Sequence, residues 1–170
     1  MNVIVAKASN KQEPIIQNLA QLYTHDFSEF RSDTSKGNLL PDGRFEPYPL
    51  EEYWTRRGWW ASMIWCDEAL AGFALINDHA RSGEPVDHSV AEFFIVRKHR
   101  GRGVGRLAAE TIFSLHPGSW EVAVARKNVP AGAFWRKTIT GAPKVKGVNE
   151  IDVSNDHWNG TIFRFEWGIR

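Results

Sequence analysis

The densest chemistry in this 170-residue chain lies in one short run, Arg100-Gly101-Arg102-Gly103-Val104-Gly105-Arg106, with Arg97 and Lys98 just before it. A glycine-rich turn between a strand and a helix aims backbone N–H groups at an anion and sets the positive helix end behind them. Glycine suits such a turn because a side chain blocks close approach, and because some positions require positive φ. The cluster of cations beside the turn suits a ligand with several phosphates. A solvated basic loop is the plainer use of the same residues. Three phosphate-binding templates compete here. A P-loop ends in Gly-Lys-Ser/Thr, which the chain lacks. The dinucleotide fingerprint matches at Gly103, Gly105 and Ala108, but late in the chain, with too little sequence for two halves of a doubly wound sheet. Arg126 and Lys127 also stand where an acidic residue should end the next strand. The third template, Arg/Gln-x-x-Gly-x-Gly/Ala, is met by Arg100, Gly103 and Gly105.

Hydrophobic patterning indicates the elements that position this turn. A short strand at 3–8 precedes overlapping capping boxes, Ser9 with Gln12 and Asn10 with Glu13. Ile15, Ile16, Leu19, Leu22 and Tyr23 then recur at helical spacing to about Asp26. Residues 28–49 are polar and irregular, a loop long enough to be functional, and a short helix follows at 50–57. Strands at 60–66 and 70–78 flank Asp67-Glu68 as a hairpin. Another strand, 91–96, leads into the glycine-rich turn, and a helix from about 103–106 carries Leu107, Ala108, Thr111, Ile112 and Leu115 on one face. After a strand at 120–125, Asn128 can cap a second helix with Pro130 in its first turn. In the tail, Phe163, Phe165, Trp167 and Ile169 alternate with polar residues, as in a half-buried strand.

With that strand before it and that helix after it, the Arg100 motif resembles the central motif of the GNAT superfamily of acetyl-CoA-dependent N-acetyltransferases. Downstream, Asn128, Ala131, Phe134 and Trp135 resemble that superfamily's Asn-x-x-Ala-x-x-Phe-Tyr segment. Residues 90–137 carry the resemblance tightly and the other elements only by their order. It implies an α/β fold (α+β by some schemes): a mixed, mostly antiparallel central sheet of six or seven strands flanked by about four helices, in one domain over 1–170. It also implies that the backbone of Arg100, Gly101, Arg102, Gly103, Val104, Gly105 and Arg106 holds the pyrophosphate of acetyl-CoA. Main-chain groups around Phe94, Ile95 and Val96 would pair with the pantetheine arm as an added strand. The Val96 amide would polarise the thioester carbonyl. Asn128 would reach the pantetheine end or simply cap its helix, and Trp135 would pack beside the cofactor.

An amine must lose a proton before it attacks a thioester, and the departing thiolate gains from a donor. Glu92, among apolar neighbours that raise a carboxyl pKa, is the expected base, with pairing to a nearby arginine as its plainer role. Asp87 and His88 are weaker candidates for the base. The donor is open, because Trp135 stands where the superfamily has tyrosine and an indole is no acid. Tyr23, Tyr48, Tyr53 or solvent would then serve. There is no Gly-x-Ser-x-Gly elbow, Cys66 sits in a hydrophobic strand, and the six histidines show no ligand spacing, so no metal is expected.

The acceptor side would come from Tyr23, His25, Asp26, Phe27, residues 28–49, Tyr53 and the tryptophans from 54 to 65, Trp60 among them. Scattered acids (Asp42, Glu46, Glu51) with an aromatic wall suggest a cationic amine. Core packing is the alternative for the same tryptophans. The net charge of +1 gives no global field for nucleic acid or membrane. One cysteine, no signal-peptide core and no transmembrane-length stretch point to the cytoplasm. The expected partner is a small-molecule or peptide amine, met by a monomer or homodimer. Other readings of the chain are an acyl-CoA sensor without catalysis, a nucleic-acid-binding module and an NADP-dependent reductase.

Overall fold

The computed structural model describes residues 1–32, 34–35 and 37–168, so Ile169 lies outside the described residues. Seven strands form one sheet: β1 (Val3–Lys7), β2 (Trp60–Cys66), β3 (Ala69–Asn77), β4 (His88–Ile95), β5 (Gly118–Ala125), β6 (Val145–Ser154) and β7 (Asn159–Trp167). Their order is β1-β2-β3-β4-β5-β7-β6, and only β4 and β5 run parallel. Helices α1 (Glu13–Ser28) and α2 (Glu51–Thr55) cover one face; α3 (Val104–Leu115) and α4 (Val129–Gly141) cover the other. This is the mixed, mostly antiparallel layout that the element order implied.

Local chemistry accounts for the element boundaries. Ser9 and Gln12 form the anticipated capping box, followed by a 3-10 turn and then α1 with Pro14 in its first turn. Asp67 and Glu68 both adopt positive φ, the backbone a two-residue hairpin between β2 and β3 demands. The buried stripe of α1 is Ile16, Leu19 and Ala20, while Ile15 and Leu22 face solvent. In α3 the inner face is Val104, Ala108, Ala109, Ile112 and Phe113; Leu115, at the last turn, is exposed instead. A 3.6-residue period fixes the direction of a stripe, but the neighbouring sheet decides how far around the helix it extends.

The register of β4 carries the main consequence for function. Leu75 pairs with Glu92 while Ile76 pairs with Val90, so Ala91 is an extra residue, a bulge. On its other side β4 pairs with β5 only at His88, Ser89 and Val90. A bulge bends its strand and adds twist. Beyond Val90 the two strands diverge, and the edge of β4 opposite β3 stands open.

Away from that opening, Glu121 of β5 is fully buried and accepts bonds from the Arg81 amide, the Ser82 hydroxyl and, at 3.0 Å, the Arg164 guanidinium. Arg164 also donates to the carbonyls of Glu84 and Pro85 at 2.9 Å each, which fastens the β3–β4 loop to β7. Removing one partner leaves a buried charge uncompensated. Arg164→Ala is therefore expected to cost about 3 kcal/mol in urea denaturation. A change within a few tenths of the parent would show that the pair does not hold the loop.

Candidate active site

Gly103, at φ +85°, ends the turn as the residue capping α3, and Gly101 has φ +71°. Both values favour glycine. Leu107 is the first residue of α3 whose amide closes a helical bond, to the Gly103 carbonyl at 3.0 Å. The amides of Val104, Gly105 and Arg106 are thus left at the open helix end. Gly105 is required for packing, since a Cβ there would meet the Phe134 ring at 3.2 Å. It lets α3 approach α4 and closes one wall of a cleft of about 630 Å³. Phe93, Phe94 and Ile95 of β4 line this cleft, as do Arg100, Gly101, Gly103, Gly105 and Arg106 of the turn. Asn128, Phe134 and Trp135 line it from α4, and Tyr23, Asp26 and Phe27 from α1. The cleft thus gathers most of the residues expected to bind cofactor, together with Tyr23 and Phe27 from the expected acceptor side.

The structure corrects the roles of Val96 and Phe94. The Val96 amide donates to the Ala71 carbonyl at 2.8 Å, so it is spent in the sheet. Successive peptide groups of a strand point to opposite edges. Phe94 therefore also faces β3, and the main-chain groups of Phe93 and Ile95 face the open edge. The Arg100 Nε bond to the Ile95 carbonyl, at 2.6 Å, comes from that open side. Arg100 and Arg97 do not point freely at solvent either, because both guanidinium groups grip Asp26 at 2.6 and 2.8 Å. Burial alone would raise the Asp26 pKa, but the bonds from Arg97 and Arg100 outweigh it and hold the carboxylate below its usual range. Arg102 is exposed, and Arg106 lies 3.5 Å from Glu110.

Glu92 projects to the α1 side of the sheet. Tyr48 donates to its Oε1 at 3.0 Å, and the Tyr23 hydroxyl also bears on this carboxylate. Burial raises the Glu92 pKa, while these phenols pull against the rise. Burial, then the nearby Glu92 charge, keeps Tyr23 and Tyr48 protonated far above neutral pH. Tyr53, buried and bonded by Asn77 at 3.3 Å, is pushed up to about 12, first by desolvation. The loop that delivers Tyr48 is clamped by α1. Gln17 exchanges two bonds with the Tyr48 backbone at 2.8 and 3.0 Å, and Gln21 does the same with Phe45 at 3.1 and 2.8 Å. Sequence patterning did not single out these glutamines; the available signal was two amides at i and i+4 beside an apolar stripe.

Other expected residues fall elsewhere. Trp60 packs on the opposite face from Glu92, its ring 4.0 Å from that of His116, so it is not an acceptor contact. His88 packs against Trp120 at 4.7 Å on that same far face, and Asp87 bonds Ser119, so neither competes with Glu92 as base. Trp59 and Trp60 are core residues, and the Trp54 indole bonds Glu13 at 2.8 Å, tying α2 to α1. Core packing is the use the fold makes of that tryptophan cluster. Asp42 is taken by Arg44 and Glu51 sits exposed at the start of α2, which leaves the expected acidic lure for a cation without Asp42. Asn128 caps α4 by accepting from the Ala131 amide at 3.2 Å and also lines the cleft. Trp135 is buried against Phe93, Phe113 and Phe134. Among the described residues no helix is long and apolar enough to cross a membrane, and no three side chains cluster as a metal site.

The sequence profile of the acetyltransferase (GNAT) family matches residues 17–139, which run from within α1 through the open β4 edge and the glycine-rich turn into α4. The chain belongs to the GNAT acetyltransferase family. Solved structures agree with this GNAT fold. An acetyltransferase of the family from Streptococcus agalactiae superposes with a TM-score of 0.63 at 16% identity, covering 99% of this chain and 96% of its own. One from Staphylococcus aureus gives 0.62 at 10%, covering 98% and 100%, and an acetyltransferase from Thermus thermophilus gives 0.62 at 18%, covering 97% and 96%. No curated protein matches the chain.

For this GNAT acetyltransferase the raised Glu92 pKa has a stability consequence with a definite sign. The folded state favours the protonated carboxyl, so that contribution is full below the ordinary value near 4.5 and is lost as pH rises through the folded value. Glu92→Gln keeps the shape without the charge. Scanning calorimetry should show the variant melting above the parent at pH 8, with the gap closing at pH 4. A gap independent of pH would mean the carboxyl is not desolvated.

Proposed function

We propose that this chain is an acetyl-CoA-dependent N-acetyltransferase, residues 1–170 forming one catalytic domain that transfers acetyl to a primary amine. The observation that carries the reading is the divergence of β4 from β5, which opens a strand edge beside an amide-rich helix end, on the strand that also carries Glu92. The residues present fit the cofactor. The amides of Gly101, Arg102, Gly103, Val104, Gly105 and Arg106 would hold the pyrophosphate at the positive end of α3, with the exposed Arg102 adding charge. The main-chain groups of Phe93 and Ile95 would pair with the pantetheine arm as a further strand. Asn128, Phe134 and Trp135 would wall it in.

Bound there, acetyl-CoA supplies a thioester: the acceptor nitrogen bonds to its carbonyl carbon, the C–S bond breaks, and CoA leaves as the thiol. The Ile95 amide, facing the open edge, takes the polarising role first assigned to Val96. Glu92 accepts the proton that the ammonium must lose, directly or through water. A carboxyl lifted toward neutral pH is better matched to that task than an ordinary one. Tyr23 alone among the three tyrosines lines the cleft, and it is our choice for returning a proton to the sulfur. Its raised pKa keeps it a neutral O–H donor, so Trp135 need not be an acid. Pairing of Arg97 and Arg100 with Asp26 weakens the case for a nucleic-acid surface at this turn.

Two outcomes test the reading. Calorimetry should show CoA binding to the parent protein and none to Gly103→Trp, which fills the turn while circular dichroism stays native. Unchanged affinity would remove the turn from the site. In a thiol-release assay Glu92→Gln should lower kcat about a hundredfold with CoA affinity intact. Since the base works only when deprotonated, parental kcat/KM should rise with pH through the raised Glu92 pKa, and the variant should lose that limb. A variant profile that keeps the limb would exonerate Glu92.

A further inference from the structure

The loop that reaches Glu92 has little freedom of its own. Tyr48 stands between Pro47 and Pro49, and Glu46 precedes Pro47, so the proline rings disfavour helical backbone at both Glu46 and Tyr48. An extended residue makes no bond to its near neighbours, and its N–H and C=O need partners from elsewhere. Gln17 of α1 supplies both. Its side-chain amide donates to the Tyr48 carbonyl at 2.8 Å and accepts from the Tyr48 amide at 3.0 Å. One helical turn later Gln21 does the same for Phe45. Burial of Phe45 and Leu50 anchors the two ends of the segment.

This stiff segment brings one phenol to the sheet. The Tyr48 hydroxyl donates to Glu92 Oε1 at 3.0 Å, which fixes one oxygen of the carboxyl and so the direction of the other. Tyr48 lines a separate cavity, shared with Thr24 of α1, and not the cofactor cleft. It therefore reaches the carboxyl without occupying the room that the cofactor needs. The other groups bearing on Glu92 are Tyr23 of α1, whose hydroxyl also bonds it, Tyr53 of α2, and, through charge, Arg31 and Arg81. Gln17 lines neither cavity.

We propose that Gln17 is a positioning residue for the base: by holding both polar groups of the Tyr48 backbone it sets the phenol on Glu92 Oε1, and so fixes how the carboxyl meets the acceptor ammonium. This rests on the acetyl-transfer reading above. Without the clamp two backbone groups lose their partners, and the segment must shift to satisfy them. The phenol leaves Glu92 with it. A hydrogen bond to the charged form of a carboxyl favours that form, so losing the phenol moves the Glu92 pKa up. The base is then free only at higher pH.

The test follows the Glu92 titration by two readouts. One is the rising pH limb of kcat/KM in thiol release. The other is the Glu92 signal in carbon NMR of protein isotopically labelled at the glutamate carboxyls, assigned by its loss in Glu92→Gln. Tyr48→Phe keeps the ring and the segment, and should move both up by about one pH unit, the worth of one bond to a charged group. Gln17→Met should move both the same way with CoA affinity unchanged, and kcat/KM should return toward the parental value above the shifted limb. Gln21→Met, which releases Phe45 and not Tyr48, should move them less. In the double variant the shift should equal that of Tyr48→Phe alone, because the clamp acts through a hydroxyl already gone. An unmoved titration in Tyr48→Phe or in Gln17→Met, or two shifts that add in full, would overturn this inference and leave acetyl transfer standing. Absence of thiol release with every amine, in protein whose Glu92 signal still responds, would instead overturn the transfer reading and the base role with it.

Discussion

A parallel strand pair that stops after three residues leaves peptide groups without partners, and most of this molecule can be understood as a response to that gap. The extra residue Ala91 turns β4 away from β5 just past Val90. Exposed strand edges are ordinarily covered or blunted. Here the gap is flanked by the glycine-rich helix end on one side of the sheet and by α1 on the other. Both are brought in by packing: Gly105 admits the Phe134 ring, and Tyr23 rests edge-on against Phe73 and Phe94. The cleft is thus built from main-chain geometry first, with side chains lining what the bulge has opened.

Charge around the cleft is apportioned by burial. Asp26 gathers Arg97 and Arg100, so two of the turn's cations are bound to the acid of α1. Arg100 also caps the Ile95 carbonyl, one of the groups on the open edge. Glu92 has no arginine within bonding distance among the described residues and is held by phenols, which solvate its charge only in part and leave it prone to protonation. Two carboxylates about the same sheet edge therefore behave oppositely, one fixed as an ion and one poised to take a proton. The difference lies in the partners each fold element supplies.

Farther down the sheet, the buried pair of Glu121 and Arg164 links β5, β7 and the β3–β4 loop. The same network holds the Arg81 backbone, so the ion pair also orders the start of the β3–β4 loop. The Gln17 and Gln21 clamps do comparable work for Tyr48 from the other wall.

Much of this was legible in the sequence because it is local. The capping box at Ser9, the Asp67-Glu68 hairpin, the glycines that need positive φ and the Asn128 cap are decided by residues within a few positions of one another. The two spaced motifs around them carried the family and the fold. What tertiary structure decided depends on pairing across the chain. Which edge an amide faces follows from strand register, and that register turns the Val96 amide toward β3 and leaves the Ile95 amide at the open edge. Which face a tryptophan takes follows from strand parity, and parity sent Trp60 to the far core from Glu92. Tyr48 and Glu92, forty-four residues apart, meet only once α1 has clamped the loop that carries Tyr48. Sequence spacing carries local backbone preference; it carries no information on which distant side chains will meet.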